Sequence, residues 1–170
     1  MQRIERLSEA DAPQKTQDLL TAVKKQMGGV PNIIATFAGA LGGGTLSARF
    51  REQIALAVAG ANRCDYCASA HTALGGMQGL EAEELDRNLK GWSSDAKVDA
   101  ALRFASRIVS LRGNVTDEDL AAVRNAGLTE EEIVEIVANT VLNIFTNYFN
   151  HIAGTEIDFP VVSTAAVKAA

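Results

Sequence analysis

Apolar residues recur along the chain at helical spacing, and prolines, glycines and capping residues divide the recurrence into segments. Pro13 opens the first, in which Leu19, Leu20 and Val23 share one face until Gly28 and Gly29. A short apolar helix over 33–41 runs into Gly42, Gly43 and Gly44. That run reads as a flexible connection and not a phosphate loop, because no Gly-Lys-Ser/Thr follows it. Ser47 caps the next helix, which carries Phe50, Ile54, Leu56 and Val58. Asn62 and Arg63 form a tight turn before a helix over about 64–74, closed by Gly75 and Gly76. Helices over 81–90 and 94–111 follow, the second with Asp95 and Asp99 near its start, then a short one capped by Thr116. The last opens with a capping box, Thr129 followed by Glu132. No stretch alternates as a strand does. The pattern predicts an all-α fold, with residues 1–170 as a single domain without internal linker or repeat.

The last helix departs from ordinary amphipathic patterning. Over 133–149 the apolar residues Ile133, Val134, Ile136, Val137, Val141, Leu142, Ile144, Phe145, Tyr148 and Phe149 cover nearly every side, which predicts burial all round. A bundle of this size has few places to bury a helix completely. Either the helix is central in the monomer or a second subunit closes part of it, making a homo-oligomer. A polar row interrupts it at every fourth residue, Asn139, Asn143, Asn147 and His151, whose groups need partners between helices or subunits. For His151 a structural role is favoured over a catalytic one.

Composition narrows the function. Of the 170 residues, 47% are hydrophobic and 22% charged, with a net charge of -5, so the chain can build a core and lacks the positive patch that nucleic acid or an anionic membrane would need. The amino-terminal stretch has no apolar core of a secretory signal, and no run of consecutive apolar residues nears the roughly 18 of a membrane helix. A cytoplasmic location is expected. There a pair of cysteines is more often catalytic or metal-binding than structural. Trp92 and the acidic stretch from Glu81 to Asp86 read as ordinary helix surface.

The two cysteines lie in the one dense cluster of reactive side chains: Glu52, Cys64, Cys67 and His71. At about 100° per residue, Cys64, Cys67 and His71 fall within an arc of about 60° on one helix face. Residues three apart hold their Cβ atoms roughly 5 to 6 Å apart, so a disulfide would form only with local adjustment and would be easily reduced. If the turn centres near Asn62, the antiparallel partner helix sets Glu52 level with His71. Burial there would raise the carboxylate toward the range of a general base; the alternative is that Glu52 joins Arg49 and Arg51 on a wet face. A free thiol titrates near about 8.5, so a nucleophilic cysteine needs a base or a positive field. His71 stands four residues after Cys67, and the helix start favours charge near Cys64, with Arg63 helping and Asp65 opposing. Such a thiolate can attack a peroxide O–O bond to give a sulfenic acid, which the neighbouring thiol condenses to a disulfide.

The spacing of Glu52, Cys64, Cys67 and His71, with Leu46-Ser47 and Arg51-Glu52 before it, resembles the alkylhydroperoxidase AhpD-like branch of the carboxymuconolactone decarboxylase family. The run from Asn147 to His151 and on through Glu156 to Pro160 resembles the endings of that family's peroxidase-related members. The resemblance implies an AhpD-like helical bundle with the CxxC motif on a central helix, assembled as a trimer or hexamer. It implies reduction of organic hydroperoxides at the expense of a dithiol reductant, such as a lipoyl-type carrier, with no bound cofactor. Carried over, Cys67 is the peroxidatic thiol, Cys64 the resolving one, and Glu52 and His71 relay protons. Tyr66 stands where some members of the branch have a second histidine, so one arm of the relay differs.

Other readings compete. Two thiolates, an imidazole and a carboxylate could form a zinc centre, although three of these lie along one helix instead of on two loops. The decarboxylases that give the family its name generally lack the cysteine pair. A redox-sensing or structural bundle would use the cysteines as packing residues. Covalent haem is excluded because Ala68 follows Cys67, and a thioredoxin fold by the missing strands.

Overall fold

The computed structural model describes residues 12–30, 34, 35, 38 and 44–167. Among them run seven helices and no strand: α1 (Gln14–Met27), α2 (Ala48–Asn62), α3 (Asp65–Met77), α4 (Ala82–Leu89), α5 (Ala96–Ser110), α6 (Asp117–Asn125) and α7 (Glu130–Ala153). The helix expected over 33–41 and the glycine run after it fall largely outside the described residues; positions 34, 35 and 38 are helical, and Ala38 is fully buried.

α2 is the axis of the bundle. Ser47 accepts from the Phe50 N–H to start it, and α3, α4, α5 and α7 all pack against it. Every residue from Gln53 to Gly60 is buried, because α2 is enclosed rather than amphipathic. Ile54 and Val58 join Leu102, Phe104, Ile108, Ile133 and Ile136 on one side, and Leu56 and Ala59 join Leu80, Leu85 and Leu89 on the other. Each large aliphatic side chain so buried contributes about 1.5–3 kcal/mol. At Gly60 the approach of α4 is so close that a Cβ would collide with the Leu89 carbonyl oxygen. Arg63 ends α2 in the left-handed region (φ 56°, ψ 45°), and this turn sends the chain back as α3.

Several boundaries differ from those expected. α3 does not stop at Gly75 and Gly76 but runs through them to Met77; Gly75 is buried where α3 meets Leu80 and Leu85, and the chain turns at Gly79. Pro13 and Glu81 are caps and not first helical residues, and the helix expected from Ser94 starts at Ala96 with Asp95 as its cap. Thr116 and Thr129 each close a capping box, with Asp119 and Glu132.

The largest correction concerns α7. Its first half is buried through Ile133, Val134, Glu135, Ile136 and Thr140, but in the second half Val141, Leu142, Phe145, Tyr148, Phe149 and Ile152 are exposed. Within one chain, therefore, α7 is not buried all round. In that half only Asn143 and Asn147 are buried, with Ile144 packed partly buried against the core. The buried Glu135 carboxylate accepts from the Thr45 and Leu46 N–H groups at 2.6 and 2.8 Å and pairs with Arg51 at 2.8 Å, tying α7 to the entry of α2. A Cβ on Gly44 (φ 65°) would strike that carboxylate.

After Gly154 the chain crosses the outer side of α3. Thr164 donates from N and Oγ1 to Asp65 Oδ1 (2.8 and 2.6 Å), the Val162 N–H donates to Ser69 Oγ (2.9 Å), and Val167 enters the core. No helix among the described residues is long and apolar enough to cross a membrane.

Candidate active site

The hairpin of α2 and α3 brings Glu52 and His71 together as the turn arithmetic required: His71 Nδ1 lies 2.8 Å from Glu52 Oε2. Their side chains are 22% and 20% exposed, so the pair sits at the rim of a cavity and not on a wet face with Arg49. The cavity, of about 530 Å³, lies between α2, α3 and α7. Ala55, Ala70 and Leu142 supply apolar wall, Arg51, Asn139, Asn143 and Thr146 its polar rim, and Cys67 faces it together with Asn150.

Cys64 is placed differently from the expectation that both thiols lie on one helix face. It is the N-cap of α3, with extended backbone (φ -97°, ψ 96°), and its sulfur accepts from the Cys67 N–H at 3.3 Å. A capping residue is turned out of the helical register, so Cys64 leaves the Cys67–His71 face. It lines a second, smaller groove of about 280 Å³ with Arg63, Tyr66, His151 and Ile157. The two thiols are free, buried neighbours that line different grooves, with Tyr66 and Asn150 shared between the two.

Their protons are unequally held. Cys67 is lowered to about 6, first because the Cys64 thiol donates to its sulfur; burial opposes this, while the Asn150 and Asn147 amides and the His71 charge assist. Cys64 is raised, because its proton is the one donated and because it is buried, with Asp65 adding to the effect. The pair thus shares one proton, and the charge rests on Cys67.

Asn150 was not singled out from the sequence, yet its Nδ2 donates to Cys67 Sγ at 3.3 Å. Position 150 lies outside the four-residue polar row, and only the packing of α7 across α3 reveals it. Within that row, Asn139 and Asn143 bond back to carbonyls of their own helix, and Asn147 accepts from Asn62 Nδ2 of α2 at 3.0 Å. His151 Nε2 lies 3.3 Å from the Arg63 carbonyl oxygen, a tie between α7 and the turn. Tyr66 stacks edge-on against Phe159 (5.9 Å), and its hydroxyl donates to Asp158, which raises its titration. It is therefore committed to the C-terminal segment. Among the described residues no three His, Cys, Asp or Glu side chains converge to hold a metal ion.

Comparison with known proteins now adds to this geometry. Residues 29–110 match the model of the carboxymuconolactone decarboxylase family, a span that holds Glu52, both cysteines and His71. The chain carries a carboxymuconolactone decarboxylase family domain. Its fold is AhpD-like: an alkylhydroperoxidase AhpD core structure, an uncharacterized peroxidase-related protein from Ralstonia eutropha JMP134, superposes with a TM-score of 0.64 at 24% identity over 92% of each chain. A peroxidase-related protein from Silicibacter sp. TM1040 superposes at 0.61 with 22% identity over 95% of each chain. The debrominase Bmp8, whose Cys-to-Ala variant was crystallised with 2,3,4-tribromopyrrole, superposes at 0.58 with 21% identity over 93% of this chain and 92% of its own. The fold of this family domain therefore serves more than one chemistry. No curated protein shows significant sequence similarity to the chain.

Proposed function

We propose that the protein is a thiol-dependent peroxidase that reduces organic hydroperoxides through a Cys64–Cys67 dithiol/disulfide cycle. The observation that carries the reading is a cysteine held toward its thiolate, at about 6, facing an apolar-walled cavity with a second thiol beside it.

In the first step the Cys67 thiolate attacks the terminal peroxide oxygen. The S–O bond forms as the O–O bond breaks, leaving Cys67 as sulfenic acid and the alkoxide as leaving group. His71, oriented by Glu52, supplies the proton that turns the alkoxide into an alcohol. Cys64 then attacks the Cys67 sulfur, the S–O bond breaks, and water departs with the disulfide left behind. Having the resolving thiol already in contact makes this step effectively intramolecular. A dithiol reductant of the lipoyl class restores both thiols by exchange and is itself oxidised to a disulfide.

Assembly belongs to the same proposal. The exposed strip of Leu142, Phe145, Tyr148, Phe149 and Ile152 is what a homo-oligomeric contact of a trimer or hexamer would cover. A cytoplasmic, reducing setting would keep the resting enzyme in the dithiol form.

Mass spectrometry of the reduced protein after one equivalent of cumene hydroperoxide tests the reading. Loss of two hydrogens is expected, and it should vanish in both Cys64→Ser and Cys67→Ser. A dithiol left unreacted after that addition rules the peroxidase out.

A further inference from the structure

The amides that α7 carries toward Cys67 include a donor that the cycle above does not use. Asn147 is fully buried; its Oδ1 is held by Asn62, and its Nδ2 donor has no hydrogen-bond partner among the described residues. An unmatched buried donor is costly, of the order of 1–3 kcal/mol, unless a group of opposite need appears beside it. The sulfur of Cys67 is the group it acts on, and Asn150 Nδ2 approaches the same atom to 3.3 Å.

We propose that the carboxamides of Asn150 and Asn147 form an anion hole for the Cys67 sulfur, serving it whenever it carries negative charge. The proposal deepens the peroxidase reading and rests on it for its place in catalysis. α7 brings these two amides to the sulfur, and an amide donor keeps its strength at every pH. The titratable groups around Cys67 lie elsewhere: Cys64 and His71 on its own segment, Tyr66 beside it, and Glu52 with Arg51 across the cavity on α2. On α7 the nearest titratable group, His151, faces the other groove, on the Cys64 side.

The hole also sets the direction of disulfide reduction. A sulfur leaves more readily the better its anion is stabilised. The reductant thiolate therefore attacks Cys64 from the smaller groove. A bond forms from the reductant sulfur to Cys64, the Cys64–Cys67 bond breaks, and its electron pair stays on Cys67 between the two amides. The reductant's second thiol then closes its own disulfide and frees Cys64. Peroxide and reductant meet the pair from adjoining grooves, each at the sulfur that lines its groove.

The test is the pH dependence of iodoacetamide labelling of the reduced protein, with the labelled cysteine located by peptide mass spectrometry. Asn150→Ala sits on a half-buried helix position that alanine suits, so the fold should persist, which thermal melting checks. The midpoint for Cys67 should rise by about one unit in Asn150→Ala, as loss of a hydrogen bond to a charged sulfur implies, and further in Asn150→Asp, where a carboxylate replaces the donor. Adding Asn147→Ala to Asn150→Ala should raise it again; a folded double variant with no added rise overturns the share assigned to Asn147. Midpoints in both Asn150 variants that coincide with the parent overturn the hole. Labelling needs no peroxide, so a raised midpoint without hydroperoxide turnover leaves the hole standing and removes the peroxidase. Turnover with an unmoved midpoint does the reverse.

Discussion

Two polar clusters are set into this apolar bundle, one around Glu84 and one around Cys67, and they differ in what their central group has left to offer. Glu84 lies at the edge of a cleft of about 640 Å³, beside Arg49, Arg87 and Asp95. Its carboxylate accepts from Ser93, from Ser94 Oγ at 2.8 Å and from Asn88 at 2.9 Å, with Arg87 at 3.3 Å. Burial works against the charge, but the Ser93, Ser94 and Asn88 donors outweigh it and hold the group at about 2. Every lone pair is occupied, so the group has nothing left to offer a substrate. Each cluster keeps one buried amide atom without a partner, Asn88 Oδ1 beside Glu84 and Asn147 Nδ2 beside Cys67, but around Cys67 the central group is itself reactive: two thiols share a proton, and a carboxylate–imidazole pair stands half open. A saturated carboxylate fastens helices; a thiol open to a cavity is available for chemistry, whatever the relative size of the clefts.

Four substitutions press on that contrast. Cys67→Ser should abolish disulfide formation with an organic hydroperoxide completely while leaving melting near that of the parent, as measured by mass spectrometry and circular dichroism. Glu52→Gln should slow single-turnover oxidation at neutral pH by about 10²-fold in stopped-flow measurements, the usual scale for a proton-transfer group. Glu84→Gln should do the opposite, costing about 2 kcal/mol in urea unfolding with no change in Cys67 labelling. The same contrast appears in acid. Because folded Glu84 titrates at about 2, below its ordinary 4.5, the unfolded chain takes the proton first. Its stabilisation is present above about 4.5 and is lost as pH falls from there toward 2, by about 3 kcal/mol in all. Phe145→Asp, at a position 66% exposed, should change monomer stability by less than about 0.5 kcal/mol yet shift light scattering toward the monomer. An unchanged mass would detach the apolar strip from assembly.

Much of this was legible in the chain because the signals are local. Capping residues, glycines and apolar spacing mark the helices, and the hairpin through Asn62 and Arg63 brings Glu52 to His71 by counting alone. What stayed hidden is set by tertiary contact. Gly75 and Gly76 look like a stop but lie inside α3, since Gly75 is where α3 packs on Leu85 and Leu80. Cys64 looks like a helical residue but caps the helix, which turns its sulfur to another groove. Asn150 carries no local mark, and its role follows only from how α7 crosses α3. The apolar surround of α7 was read as burial, whereas the chain alone leaves half of it open.

The claim on which the account turns is that the shared proton sits on Cys64 and the charge on Cys67. Site-resolved iodoacetamide labelling of the reduced wild-type protein from pH 4 to 10 measures it directly. The account predicts that Cys67 is labelled first, with a midpoint near 6, and that Cys64 stays protected through neutral pH. Labelling of Cys64 ahead of Cys67, or a Cys67 midpoint at the ordinary thiol value, would contradict it.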